Sequence, residues 1–184
     1  MLGEAWLATV VIRRKHHVDA NACLELARLT HEVDGYPKYL PGDLDAFVND
    51  AAEMAAWVAE SAGRLVGHVA VHAATADPAS SIASSATGLA AEQMLVIARL
   101  MVHPKARRKG VGRQLLDTAT SYAAARQLMP ILDVLQESDA AIALYEDLGW
   151  RRAGPLVLPL HGHPALQLWV YVGPSRPKTA GCDS

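Results

Sequence analysis

The stretch "MVHPKARRKGVGRQLL", Met101 to Leu116, constrains this chain more than any other. An apolar, strand-like run ends at Val102. Four cations follow, Lys105, Arg107, Arg108 and Lys109, then two glycines, Gly110 and Gly112, and then a helix-like run. A helix N-terminus presents unpaired backbone N–H groups and the positive end of a dipole. Glycines ahead of it remove the Cβ that would keep a ligand off the backbone. Such a turn fits a compact anion such as a pyrophosphate, and the arginines and lysines add attraction. A solvated basic turn that merely starts a helix is the competing reading of the glycine pair.

The basic knot is local. The chain has 184 residues and net charge −2, with a pI near 6.4, which argues against a broad nucleic-acid-binding face. With 51% hydrophobic and 20% charged residues, the composition supports one core and one domain. Residues 1–173 are read as that domain and 174–184 as a flexible tail. The two cysteines, Cys23 and Cys182, lie far apart and define neither a disulfide framework nor a CxxC site. No run of ~18 apolar residues marks a membrane span. Glu4 interrupts the short apolar start and Arg13-Arg14-Lys15 follows it, so no signal-peptide pattern is read and the expected setting is the cytoplasm.

Along the chain, Trp6 to Ile12 reads as a first strand. Asp19 offers an N-cap to a helix through His31, with Ala20, Cys23, Leu24 and Ala27 on one stripe. "DGYPKYLPGD", Asp34 to Asp43, is a loop, and Leu44, Phe47 and Val48 mark a short second helix. Ala55–Ser61 and Leu65–His72 read as a hairpin turning at Ala62-Gly63. Thr75 to Ala91, small and serine-rich, reads as a mobile loop. A strand is predicted over Gln93–Val102 and a helix over Gly110–Gln127, its buried stripe Val111, Leu115, Ala119, Tyr122 and Ala123. A strand over Met129–Leu135 and a helix over Asp139–Leu148, stopped by Gly149, come next. Trp150–Leu158 and Leu166–Val172 read as a final antiparallel pair. The order β-α-α-β-β-β-α-β-α-β-β describes a mixed α/β domain around one sheet.

Three phosphate motifs compete for the glycine turn. The P-loop requires GK[ST], but Arg113-Gln114 follows Gly112. The dinucleotide fingerprint finds Gly110, Gly112 and an acid, Asp133, about 20 residues on. Leu115 replaces its third glycine, and the basic spacer after Val102 is too long for the tight first turn. A nucleotide-dependent oxidoreductase is therefore the weaker alternative. The pattern [QR]xxGx[GA] fits without substitution at Arg107, Gly110 and Gly112.

With that pattern the chain resembles the GNAT superfamily of acetyl-CoA-dependent N-acetyltransferases. The resemblance covers "RLMVHPKARRKGVGRQLL" and "ILDVLQESDAAIALYEDLGW", Ile131 to Trp150. It implies a mostly antiparallel central sheet flanked by about four helices. It also implies direct transfer of acetyl from acetyl-CoA to a primary amine of a small molecule, protein or peptide, and it is compatible with a homodimer. A non-catalytic acyl-CoA-binding or sensing module would keep the glycine turn and need neither Tyr145 nor Asp133.

The resemblance assigns the pantetheine arm to the backbone of Leu100, Met101 and Val102, much as a strand adds to a sheet edge. It assigns the pyrophosphate to Arg107, Arg108, Lys109, Gly110, Val111 and Gly112. Ser138 stands where the family often has a cofactor-contacting Asn; capping the next helix is its other reading. Tyr145 matches the tyrosine that in many members protonates the departing thiolate. A phenol of pKa about 10 keeps its proton at neutral pH and can give it; the alternative is a core tyrosine on the stripe Ile142, Tyr145, Leu148. Asp133 stands where some members that acetylate protein N-termini hold a general-base glutamate. It is one methylene shorter, so a bridging water would complete its reach; the alternative is a structural carboxylate. Burial between Leu132 and Val134 would raise its pKa. Of the histidines, His68 and His72 share a strand face, as do His161 and His163, but no third ligand accompanies either pair. Tyr36, Tyr39 and His161 fall in loops that border the acceptor groove of the resembled fold, and solvated loop residues are their other reading.

Overall fold

The computed structural model describes residues 9–174. Among the described residues seven strands make one sheet in the order β1 (Val11–Arg14), β2 (Ala55–Ser61), β3 (Arg64–Ala73), β4 (Met94–Val102), β5 (Met129–Leu135), β7 (His163–Val172), β6 (Arg151–Leu160), accompanied by five α-helices. The chain divides into two compact units, one of Met1–Ala73 with Val96–Tyr122 and one of Ala74–Leu95 with Ala123–Ser184.

The first unit opens with β1 (Val11–Arg14), α1 (Ala20–Asp34) and α2 (Leu44–Val48). The first strand sits later than the sequence predicts, and residues 6–8 of that prediction lie outside the described residues. Asp19 occupies the expected N-cap position, but its side chain makes no capping bond. Its carboxylate instead accepts two bonds from the Arg13 guanidinium, at 2.7 and 2.9 Å, and one from the His16 N–H. An ion pair outcompetes the helix N–H groups there.

β2 (Ala55–Ser61) and β3 (Arg64–Ala73) form the expected antiparallel hairpin. Its turn residues, Ala62 and Gly63, both have positive φ, 49° and 71°, the conformation that matches strand twist in a two-residue turn. Alternation along β3 gives the two faces different partners. Val58, which pairs with His68, packs with Cys23, Leu26 and Ala27 of α1. On the other face Gly67 lies beneath Leu115 of α4 (Val111–Ala125); a Cβ there would come within 2.8 Å of the Leu115 Cδ1. Trp57, on that same face, meets the Tyr122 ring edge-on at 5.1 Å. β4 (Met94–Val102) runs up to the glycine turn.

The second unit corrects the largest misreading. Thr75–Ala91 is not a loop: it holds α3 (Ala79–Thr87) between two short 3-10 turns. The small residues that lack a helical hydrophobic signature are what let this helix lie close to β5 (Met129–Leu135), β6 (Arg151–Leu160) and β7 (His163–Val172). Ala79 and Ala83 are fully buried, and Ile82 packs over Gly154, where a Cβ would stand 3.1 Å from its Cγ2. Ser80, Ser81, Ser85 and Thr87 return their hydroxyls to backbone carbonyls three or four residues earlier, so the serines are satisfied inside the helix. The Asp77 carboxylate accepts the Ala79 N–H at 2.8 Å, and Gly88 ends the helix at φ 75°.

β7 pairs antiparallel with both β5 and β6. The segment expected to be a loop at "PLHGHP" is only the turn His161-Gly162, and His163 already begins β7. α5 (Asp139–Asp147) ends as predicted before Gly149, at φ 78°. The expected tail from residue 175 onward lies outside the described residues.

Candidate functional site

The β4–α4 turn is built from backbone geometry. Gly110 sits at φ 78° and its carbonyl accepts the Gln114 N–H at 3.0 Å, the first bond of α4. Arg108 also adopts positive φ, 58°, a conformation that costs a non-glycine residue about 1 kcal/mol or more. Alternating backbone signs of this kind turn successive N–H groups into a concavity that suits an anion. Arg108, Lys109 and Gly110 are exposed, whereas Val111 is buried and anchors the first turn of the helix. A phosphate therefore fits: the backbone is approachable, cations stand beside it, and no side chain projects from Gly110 or Gly112.

Arg107 behaves differently from its two neighbours. Its Nε donates to the Val102 carbonyl at 3.1 Å, and its guanidinium forms a two-pronged pair with Asp34 at the end of α1. This side chain ties the turn to α1 and β4. Three of its five guanidinium N–H groups are thereby spent within the protein.

Leu100, Met101 and Val102 occupy the last three positions of β4. Met101 points into the core of the first unit, while Leu100 and Val102 are half-buried. Just before them Arg99 stands at φ 55°, which breaks the extended geometry of the strand. Both of its ends are held. The Arg99 carbonyl accepts a bond from Nδ1 of His68 at 3.1 Å. Its guanidinium donates to Nε2 of His72 at 2.9 Å and to Asp50 at 3.1 Å, and it lies 4.9 Å over the Phe47 ring. His68 is fully buried, and burial pushes its pKa down to about 4, so the ring is neutral. Burial and the neighbouring Arg99 cation likewise lower His72. Each histidine of this pair thus serves Arg99. Among the described residues no group of three or more His, Cys, Asp or Glu is arranged to hold a metal.

In the second unit Tyr145 is buried on α5, its ring 6.0 Å from those of Trp150 and Tyr171. The Tyr171 hydroxyl donates to Glu146 at 2.7 Å and accepts from Nε of Arg152 at 3.1 Å, which fixes α5 against β6 and β7 on either side of Tyr145. Ser138 precedes α5 without a side-chain capping bond; its carbonyl accepts the Ala141 and Ile142 N–H groups. The hydroxyl is therefore not spent on the cap.

Asp133 pairs with Val170 across the β5–β7 ladder, and its neighbour Leu132 pairs with Tyr171. Alternation then sends the two side chains to opposite faces. Leu132 and Tyr171 lie toward α5 and Tyr145, and Asp133 lies on the α3 side. Leu132 and Val134 are buried on the far face and do not enclose the carboxylate, contrary to the sequence reading. Asp133 itself is exposed. The surrounding protein nevertheless pushes its carboxyl up to about 6, and the Asp77 carboxylate at the start of α3 adds to the rise. The two expected catalytic side chains thus leave β5 and α5 on different faces.

Of the remaining candidates, Tyr36 packs against the core of the first unit beside a cis Tyr36–Pro37 bond, and His161 is exposed. Cys23 is buried, which pushes its thiol up to about 11 and away from nucleophilic use. Arg99 and Asp77 escaped the sequence reading, which weighed His68 only as a metal ligand. The one visible signal was an arginine inside the apolar run "MLVIARLMV".

An acetyltransferase (GNAT) family model matches residues 20–150. N-acetyltransferase family 8 member 3 of Rattus norvegicus is 33% identical over 101 residues, 53% of this chain and 39% of that protein. The matched region thus spans well under half of that relative's length. Solved structures share the fold, two of them as follows. An N-acetyltransferase from Staphylococcus aureus Mu50 superposes with a TM-score of 0.69 at 19% identity, covering 90% of this chain and 98% of that one. YncA, a putative acetyltransferase from Salmonella typhimurium solved with acetyl-CoA, gives 0.70 at 17% identity, covering 95% and 98%. No described helix is long and apolar enough to cross a membrane. With the family model matching most of its length, the chain belongs to the acetyltransferase (GNAT) family.

Proposed function

We propose that this protein transfers an acetyl group from acetyl-CoA directly to a primary amine, carried by a small molecule or by a protein or peptide. The observation that carries the reading is the β4–α4 turn, an exposed backbone concavity at a helix N-terminus with Arg108 and Lys109 beside it. In this reading the backbone of Arg107 through Gly112 holds the pyrophosphate, and the Arg107 guanidinium holds the turn. Backbone groups of Leu100, Met101 and Val102 align the pantetheine arm, and the Ser138 hydroxyl supplies a further hydrogen bond to the cofactor. Tyr145 gives its phenolic proton to the leaving thiolate. Asp133 takes a proton from the acceptor's ammonium, and the free amine then attacks the thioester carbonyl. Because Asp133 lies on the other face of β5 from Tyr145, and its side chain is short, it acts through a water.

Thermal melting with acetyl-CoA and with NAD tests the first half of this reading. A ligand at ~100 times its dissociation constant stabilises the fold by about 2.7 kcal/mol. A shift with NAD and none with acetyl-CoA overturns the assignment. An amine screen that reads free thiol tests the second half: binding with no thiol release from any amine would leave an acyl-CoA-binding module.

A further inference from the structure

We propose that His68, acting through Arg99, sets the shape of the strand end that receives the acetyl-CoA arm, and is therefore a positioning residue for acetyl transfer. The proposal rests on the acetyl-CoA reading above and adds to it the side chains that hold the strand end.

Arg99 is the residue immediately before Leu100, and it is the only residue of the described β4 with positive φ. An arginine has no intrinsic reason to adopt that conformation. A left-handed residue bends a strand locally, as a bulge does, and so orients the backbone of Leu100 to Val102 that follows. Such a residue persists only where its surroundings over-determine it, and here they do. Asp50, His72 and the Phe47 ring hold the guanidinium on one side. On the other, His68 holds the carbonyl.

The chemistry of His68 is specific to this task. The Arg99 carbonyl can only accept, so the neutral imidazole carries its proton on Nδ1 and donates. The ring is completely buried in β3, and its Nε2 has no hydrogen-bond partner among the described residues. A leucine would fill this place without an unsatisfied acceptor. Packing alone therefore does not account for a histidine, whereas the donor aimed at Arg99 does. His68 and Arg99 do not touch the ligand in this scheme; they fix the backbone that does.

Calorimetric titration of the full chain with acetyl-CoA, alongside melting curves, tests the proposal. Loss of one positioned hydrogen bond is expected to weaken binding by about tenfold in His68→Leu. His68→Asn places an amide donor near the Nδ1 position and is expected to restore most of the affinity. At residue 99 itself, a glycine adopts positive φ readily and a valine does not. Arg99→Val is therefore expected to bind acetyl-CoA about tenfold more weakly than Arg99→Gly. The second pair carries the test if His68→Leu does not fold. Variants that melt lower yet bind acetyl-CoA with wild-type affinity would show a purely structural role and overturn the proposal, as would equal affinities for Arg99→Val and Arg99→Gly. A wild-type chain that does not bind acetyl-CoA would instead overturn the functional reading on which the proposal rests.

Discussion

In the β4–α4 turn the proposed chemistry is carried by backbone: positive φ at Arg108 and Gly110 and the open N–H groups of a helix start. In the β5–α5 segment it is carried by two side chains, Tyr145 and Asp133, projecting to different faces. Backbone sites depend on conformation, so they tolerate changes of side-chain chemistry and fail when φ is denied. Side-chain sites tolerate changes of backbone context and fail with one functional group. The first kind suits holding a large anion without discrimination; the second suits moving a proton at one atom. Substitutions in the two regions should therefore separate binding from turnover.

The largest effect is expected from Tyr145→Phe. The ring keeps its packing against Trp150 and Tyr171, so the melting temperature should hold and acetyl-CoA affinity should stay near that of the native chain. Turnover should fall by ~10²–10⁴-fold if a positioned acid is lost. An unchanged turnover number, with chemistry rate-limiting, would return Tyr145 to the core and dissolve the contrast.

Asp133→Asn comes next, and pH is the instrument. The folded carboxyl titrates near 6 rather than 3.8. As the base it should impose an acid limb near pH 6 on turnover, and the Asn variant should lose both that limb and most activity at neutral pH. Activity should return as pH approaches the ~10.4 of an alkyl ammonium. Stability should move the other way. Between pH 3.8 and 6 the folded state holds a proton that the unfolded chain has lost, so the raised carboxyl lowers stability as pH rises through 6. The Asn variant should therefore melt no lower than the native chain at pH 7. A variant with a native pH–rate profile removes Asp133 from the mechanism.

Gly110→Val probes the backbone side of the comparison. Open space surrounds the new Cβ, with only the Gln114 Nε2 at 3.8 Å. The cost lies in φ 78°, where a β-branched residue is strained by about 1–3 kcal/mol. Acetyl-CoA affinity should drop about tenfold or more, with the rate of bound complex less affected. Native affinity in a folded variant would show that the conformation of Gly110 is not part of the binding surface.

The two regions were equally visible in the sequence, but for different reasons, and a third region was not visible at all. The glycine turn was legible because positive φ demands residue types that stand out, and Tyr145 because "AIALYEDLGW" resembles the family's helix ending at Gly-aromatic, while the stripe it shares with Ile142 and Leu148 equally described a core tyrosine. The use of the Arg107 guanidinium was not, since its partner Asp34 is 73 residues away in sequence. The facing of Asp133 could not be read either, because alternation gives two faces without naming what packs on each. The α3 helix was missed because its stability resides in close contact rather than in pattern: Ala79 and Ala83 bury little surface individually, and Ser80, Ser81 and Ser85 mimic a linker until their hydroxyls are seen bonded to carbonyls. Ala83→Leu sharpens that point. Overpacking a fully buried position should cost about 1–3 kcal/mol, lowering the melting temperature by roughly 2–4 °C for each kcal/mol in a chain of this size. In a mobile loop the same change would leave the melting curve where it was.

The smallest effect is expected where charge only assists the backbone. Arg108 and Lys109 are both exposed, so water and salt screen them, and neither is required to define the turn's N–H groups. Replacing both with alanine should weaken acetyl-CoA binding by a few-fold at low ionic strength, on the order of 1 kcal/mol. The deficit should shrink as salt rises, because at 0.15 M the screening length is about 8 Å. At high salt the double variant and the native chain should converge, while Gly110→Val stays defective, since strain at φ 78° does not respond to ions. Measuring both variants across a salt series by calorimetry therefore separates attraction from shape. A double variant whose deficit is independent of salt would mean that Arg108 or Lys109 contacts the phosphate directly at close range. The turn would then belong with Tyr145 and Asp133 as a side-chain site.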